Sequence, residues 1–233
     1  TGIHVQYLTL NDQYSIEPRV GFKYEHNIRN TFSLGYGSHG KHLPVNVYFG
    51  KIETSENLYE EVNRNLDFIN AHHLVAGWDH SISEFTRIKT EVYGQYIQKA
   101  PVSNISSPVS LINYGMPPFS YPDSLENYVS EGDGFNIGIE ITLERFLNDG
   151  FYYLLTASLY QSRYRGSDEK WRNTVFNNNY VVNGLIGKEF KLFKEERRNS
   201  KKMLNYLVVD LKSTIAGGQR YTPIDLEASK KER

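Results

Sequence analysis

The residues best equipped for chemistry are histidines and carboxylates at close spacing. His72, His73, Asp79 and His80 crowd one short stretch, and His39 and His42 stand three apart in SHGKHLP. Imidazoles and a carboxylate at such spacing suggest a metal site. If 71–80 is a strand, however, His72 and His73 point to opposite faces, so at most one joins Asp79. The alternative is that these are polar wall residues. Glu140 and Glu144 share one strand face, as do Arg87, Lys89 and Glu91. Glycoside cleavage needs two carboxyls ~5–10 Å apart across a substrate. Residues four apart on a strand are already ~13 Å apart by the rise per residue. An ion-paired polar wall suits them better. The sequence has no P-loop, no GxGxxG spacing and no nucleophile elbow. No catalytic residue, metal ligand set or cofactor is assigned.

Composition narrows the classes further. The chain has 233 residues, no cysteine and a net charge of −1, with 18 tyrosines and 14% aromatic residues. Zero cysteine removes disulfide frameworks, thiolate nucleophiles and cysteine metal sites. The near-neutral balance lacks the basic footprint of a nucleic-acid binder. Mean hydropathy is −0.54, and no run approaches the ~18 apolar residues of a transmembrane helix. A membrane β-barrel would escape such a scan, because its lipid-facing half is hidden in a period of two.

That period is the dominant pattern in the sequence. In FNIGIEITLE (135–144), Phe135, Ile137, Ile139, Ile141 and Leu143 alternate with Asn136, Gly138, Glu140, Thr142 and Glu144. Ile16, Val20, Phe22 and Tyr24 oppose Glu17, Arg19, Lys23 and Glu25. Phe32, Leu34 and Tyr36 repeat the pattern, as do Leu74, Ala76 and Trp78, then Ile88, Val92 and Tyr96, then Leu207, Val209, Leu211 and Ile215. About nine strands are expected, several far longer than the usual ~5–6 residues and long enough for the ~9–11 that cross a bilayer. The phase slips at Leu154 and in 180–192, where Val181 and Leu185 oppose Val182 and Ile186. Pro18 removes a ladder donor, so a bulge or an early strand end is expected there. Glycines within strands, such as Gly138, would leave room for a close neighbour or a bend.

Connections alternate in length. Short or charged turns are expected at 26–30, 81–84, 147–150 and 194–202, and long ones at 38–70, 100–133 and 166–178. The turn at 11–14 is short where a long one is due. Alternation of this kind belongs to bacterial barrels, with short periplasmic turns and long extracellular loops. Leu58, Val62 and Leu66, spaced four apart, predict a short loop helix over 56–68. Tyr114, Phe119, Tyr121, Tyr128 and Trp171 fall in long connections and are candidate ligand contacts, by stacking on a sugar for example, or simply loop packing. Tyr7, Tyr24, Tyr36, Trp78, Phe135 and Tyr153 fall on the apolar faces, and those near strand ends suit interfacial girdles.

Several phrases resemble the barrel of TonB-dependent outer-membrane receptors of the Bacteroidota type. They are NDQYSIEPRVGFKYEH (11–26), SLGYG (33–37), GFNIGIEITLERF (134–146), FYYLLTASLYQSRYRG (151–166), WRNTVFN (171–177), NGLIGKEF (183–190) and GGQRYTPID (217–225). The resemblance implies an all-β, antiparallel up-and-down transmembrane β-barrel segment, about nine strands of a roughly 22-stranded, plugged barrel. Residues 1–233 would be part of that single barrel domain, with the plug domain and terminal strands outside this chain. Arg87, Lys89, Glu91, Glu140 and Glu144 would face the lumen and the plug. Implied partners are outer-membrane lipid, the plug, TonB through the missing N-terminal part, and a small nutrient ligand, but no nucleic acid. The implied role is nutrient uptake across the outer membrane of a Gram-negative bacterium, not enzymatic catalysis. A passive outer-membrane porin and a soluble β-rich carbohydrate-binding module are the competing expectations.

Overall fold

The computed structural model describes residues 1–55, 58–114, 127–192, 206–218 and 220. It contains twelve strands: β1 Gly2–Leu8, β2 Gln13–Asn27, β3 Asn30–Lys41, β4 Lys51–Ser55, β5 Leu58–Glu61, β6 Ile69–Ser81, β7 Thr86–Ser103, β8 Tyr128–Asn148, β9 Phe151–Arg165, β10 Trp171–Asn173, β11 Tyr180–Lys191 and β12 Tyr206–Ala216. Among the described residues, helix is confined to the single turn α1, Val45–Tyr48, and a 3-10 turn at Leu111–Asn113. No described helix is long and apolar enough to cross a membrane, which says nothing of strands.

The protein is all-β and antiparallel. Nine strands form one up-and-down sheet in the order β1-β2-β3-β6-β7-β8-β9-β11-β12, with β10 added beside β9. Each neighbour pair is also adjacent among the long strands in sequence, so no crossover is needed. Alternation then gives the sheet two unlike faces. On the first lie Ile16 (57% exposed), Phe22 (68%) and Leu211 (69%), with Leu34, Leu74, Val92, Ile137, Ile141, Leu159 and Ile186. The second carries Glu17, Arg19, Asp79, Arg87, Lys89, Glu91, Glu144, Thr156, Asn183 and Asp210.

Apolar residues are thus on the exposed face, the reverse of a soluble sheet. Among the described residues the apolar cluster that is fully buried belongs to the connections: Leu43, Val47, Tyr48, Leu66, Leu111 and Tyr128.

The long connections 42–68, 104–127 and 166–179 leave one end of the sheet, and the tight turns leave the other. At Asp149 and Gly150 both backbone φ angles are positive, 52° and 68°. That is the two-residue Asp-Gly hairpin whose twist matches its flanking strands. The short β1–β2 turn sits at the long-connection end. It is covered: Asn11 Nδ2 donates to the carbonyls of Arg64 and Leu66 at 3.0 and 2.9 Å, and Leu8 and Leu10 pack on the buried cluster.

Two expectations need correction. Residues 56–68 hold no helix among those described. Here β4 and β5 pair as a hairpin, Leu58 is exposed, and Leu66 is buried against Leu43 and Tyr48. Pro18 causes neither a bulge nor a strand end. Strand β2 runs through it opposite Ile3 without a register shift, and the β2–β3 ladder starts one residue later, at Arg19 opposite Gly37. The missing N–H therefore falls where β3 has left β2. The phase slips are partners across strands: Leu154 lies directly opposite Leu185 on the polar face.

The space beside two strand glycines is already occupied. A Cβ at Gly138 would stand 2.6 Å from the Tyr93 hydroxyl, and Tyr152 lies over Gly187 in the same way. A tyrosine from the neighbouring strand thus covers each glycine, which pins register.

Candidate ligand site beneath the long connections

At the long-connection end, on the polar face, β3, β6 and β7 border a cavity of about 310 Å³, at the lower end of the ~300–1,000 Å³ range of ligand pockets. Alternation brings His39 and Lys41 of β3, Ile69, Ala71 and His73 of β6, and Gln95 and Ile97 of β7 to it. Register places them side by side, with His39 opposite Ala71, Ala71 opposite Ile97, and His73 opposite Gln95. His42 and Leu43 close one side, and Leu111, Ile112 and Tyr114 another. Leu43 and Leu111 belong to the buried cluster, and Tyr114 packs against it.

Hydrogen bonds orient the imidazoles. The His39 and His73 rings meet edge-on at 4.9 Å. Arg19 donates to His39 Nδ1 at 3.2 Å. Gln95 Nε2 donates to His73 Nε2 at 2.8 Å, and Gln95 Oε1 accepts from Asn136. His42 Nδ1 donates to the Leu43 carbonyl at 2.8 Å. With one nitrogen of His39 and of His73 accepting, the other carries the proton and is a donor. Lys41 has no ion-pair partner among the described residues, and the lining contains no carboxylate.

The connections that roof this end are fastened to one another. Asn63 Oδ1 accepts from the Tyr128 amide at 2.9 Å, and Asn113 Oδ1 from the Val175 amide at 2.8 Å. Ser167 Oγ accepts from the Ser107 amide and donates to the Ile105 carbonyl, at 3.0 and 2.7 Å. Burial pushes the Tyr48 phenol above its ordinary range. Hydrogen bonding to Arg172 holds the Asp168 carboxyl below its own.

The loop aromatics proposed as ligand contacts separate. Tyr114 lines the cavity. Tyr128 is not a loop residue: it opens β8 and is buried in the connection cluster, which denies it to a ligand. Trp171 opens the short strand β10, opposite Arg165. Its ring lies 5.1 Å from Phe135 on the apolar face, away from the cavity. Phe119 and Tyr121 lie outside the described residues.

The charged residues of β7 and β8 share the polar face. Arg87 pairs with Glu144 at 2.8 Å and approaches Asp79 at 3.7 Å. Lys89 pairs with Glu91 at 2.7 Å, while Glu140 stands opposite Glu91 across the ladder. The histidines divide between faces. His72 stacks on Tyr36 and His80 on Trp78, both on the apolar side, while His73 joins Asp79 on the polar one. No group of three metal-ligating side chains occurs among the described residues.

Sequence reasoning missed Lys41, Gln95 and Ile97 as neighbours of His39 and His73. The expected long connection at 38–70 puts His39 and Lys41 in a loop, whereas strand β3 runs to Lys41 and its register joins them to β6 and β7. The alternation of His39 and Lys41 about Gly40, in phase with Gly35 and Gly37 of the strand before it, was the available signal.

No protein-family model matches the sequence, and no curated protein matches it either. Among solved structures, the FrpB iron transporter from Neisseria meningitidis (F3-3 variant) is similar at 12% identity and a TM-score of 0.47, the alignment covering 87% of this chain and 31% of that one.

Proposed function

We propose that this chain is part of the wall and outer loops of an outer-membrane β-barrel receptor, which takes up a small nutrient with energy relayed by TonB. One observation carries the reading: the single large sheet exposes its apolar face, and that face is bordered by aromatic rows near both ends. Tyr24, Phe32 and Trp78 are successive cross-strand neighbours near the tight turns. His72, Tyr96 and Phe135 form a matching row toward the long connections. The eight steps from His72 to His80 span ~27 Å along the strand, or about 20 Å of height at a tilt of ~35–45°, which fits within an apolar band ~25 Å tall in outer-membrane barrels. Aromatic side chains at both borders are what a headgroup interface selects.

Strands β1 and β12 have no partner on their outer sides among the described residues. Open edges in lipid leave backbone groups unpaired at several kcal/mol each, so on this reading further strands close the barrel. The polar face, with Arg87, Lys89, Glu91, Glu140 and Glu144, then lines a lumen that a plug domain fills. The Bacteroidota-type phrases of the sequence favour that receptor class. Its role is transport, not catalysis.

The test is fractionation and uptake with the full-length protein. It is expected in the outer membrane after alkaline washing, and its uptake of nutrient is expected to stop when TonB is deleted. Recovery as a monomer in detergent-free buffer defeats the membrane reading. Membrane residence with TonB-independent permeation indicates a passive porin instead.

A further inference from the structure

The cavity beside β3, β6 and β7 shows which chemistry it would hold. Its side chains bring an ammonium and imidazole N–H groups but no carboxylate, and the acceptor Gln95 Oε1 is already taken by Asn136. His39 and His73, both in the lining, each accept a hydrogen bond at one nitrogen, from Arg19 and Gln95, so the other nitrogen of each carries an N–H. Lys41 adds an ammonium that no carboxylate neutralises among the described residues. The carboxylates of neighbouring segments are engaged elsewhere: Glu17 by Arg19 at 3.2 Å and Asp67 by Lys99 at 3.1 Å. A lining with a cation, N–H donors and no acidic side chain favours an anion. The opposite wall is apolar, built from Ile97, Leu111, Ile112 and the Tyr114 ring. An inorganic ion would leave that wall wet. The lining also contains neither glycine nor arginine, so it lacks the backbone nest and the guanidinium fork on which phosphate sites rely.

We infer that this cavity binds a small organic carboxylate, its charged group held by Lys41, His39 and His73 and its apolar body packed on Ile97, Ile112 and Tyr114. The inference names the ligand class of the receptor site proposed above and rests on that reading for its role in uptake. Binding itself requires neither TonB nor a membrane potential, so the two stand or fall separately.

The experiment uses the detergent-solubilised full-length protein and ligand-observed saturation-transfer NMR. The probes are matched sets of alkyl and aryl carboxylic acids and their primary amides. Acids, but not amides, are expected to receive saturation from the wild-type protein. Lys41→Gln and His39→Gln are each expected to weaken acid binding about tenfold, the loss of one charge-assisted hydrogen bond. Lys41→Arg keeps the charge and is expected to retain binding. His72→Gln, on the apolar face, is expected to leave it unchanged. The inference is overturned if amides bind as well as acids, if acids bind Lys41→Gln undiminished, or if no acid binds. Acid binding without uptake defeats the transport reading alone. TonB-dependent uptake by a protein indifferent to acids defeats the carboxylate inference alone.

Discussion

Glu17 keeps only 2% of its surface exposed yet lies at the junction of three strands. Its carboxylate accepts from Gln6 of β1, at Oε1, and from the Gly40 amide of β3 at 3.0 Å. It also faces His4 at 3.0 Å and Arg19 at 3.2 Å. These bonds bridge the point where the β2–β3 ladder has stopped, so side-chain bonds replace ladder bonds there. Removing the carboxylate strands several donors at once, at a cost of ~1–3 kcal/mol for each group left unsatisfied. Glu17→Ala is therefore expected to lower unfolding stability by ~2 kcal/mol or more in denaturant titration of the protein in lipid or detergent. Glu25→Ala removes an ion pair in which both partners are largely exposed, and a much smaller change is expected, because solvent screens such pairs. Equal effects of the two would show that the Glu17 network does not hold the strand junction. Alternation revealed that Glu17 was on the polar face. The convergence of Gln6, His4 and Gly40 on it depends on register between strands, which a single strand's pattern does not contain.

At the scale of elements, the two-faced strands were the most legible part of the sequence. FNIGIEITLE reads directly as apolar Phe135 to Leu143 against polar Asn136 to Glu144, because period two is a local property. The 56–68 segment failed for the opposite reason. Leu58, Val62 and Leu66 have helical spacing, but Leu66 is claimed by Leu43 and Tyr48 from another part of the same connection, and such tertiary packing overrides local periodicity. Tyr128 was misread because strand ends are the least defined feature of an alternating pattern. Two substitutions test the elements. Ile139 stands between Val92 and Leu159 on the apolar face, so Ile139→Arg is expected to cost ~2–4 kcal/mol near a bilayer midplane. The reading of this strand fails if the variant unfolds like wild type in lipid vesicles. Gly150 has φ +68°, and a Cβ there would lie 2.6 Å from the Glu189 carbonyl oxygen. Gly150→Ala therefore meets both left-handed strain, ~1–2 kcal/mol, and a backbone clash. Its folding from urea into vesicles is expected to be visibly less stable. Wild-type stability there would mean that the β8–β9 turn has another geometry.

At the scale of the molecule, strand parity sets which segments share a side. The connections 42–68, 104–127 and 166–179 are separated by pairs of strands and leave the same end of the sheet, while the tight turns 28–29, 82–85 and 149–150 leave the other. Packing of Leu111 with Leu43, Val47 and Leu66, and hydrogen bonds of Asn113 to Val175 and of Ser107 to Ser167, join the three long connections into one layer. That layer borders the cavity, so its side of the membrane decides where ligand enters. On the proposed receptor reading, long loops are extracellular and short turns periplasmic, and the cavity is then expected on the outside. The chain has no native cysteine, so single cysteines report position without background. Tyr59→Cys on the exposed β4–β5 hairpin and Lys170→Cys in the third connection are expected to react with a membrane-impermeant maleimide on intact cells. Glu84→Cys and Asn148→Cys, at the tight turns, are expected to react only after the outer membrane is opened. The reverse pattern would turn the cavity toward the periplasm, where it would meet outgoing rather than incoming solute. Labelling of all four on intact cells would mean that neither end is shielded by a membrane.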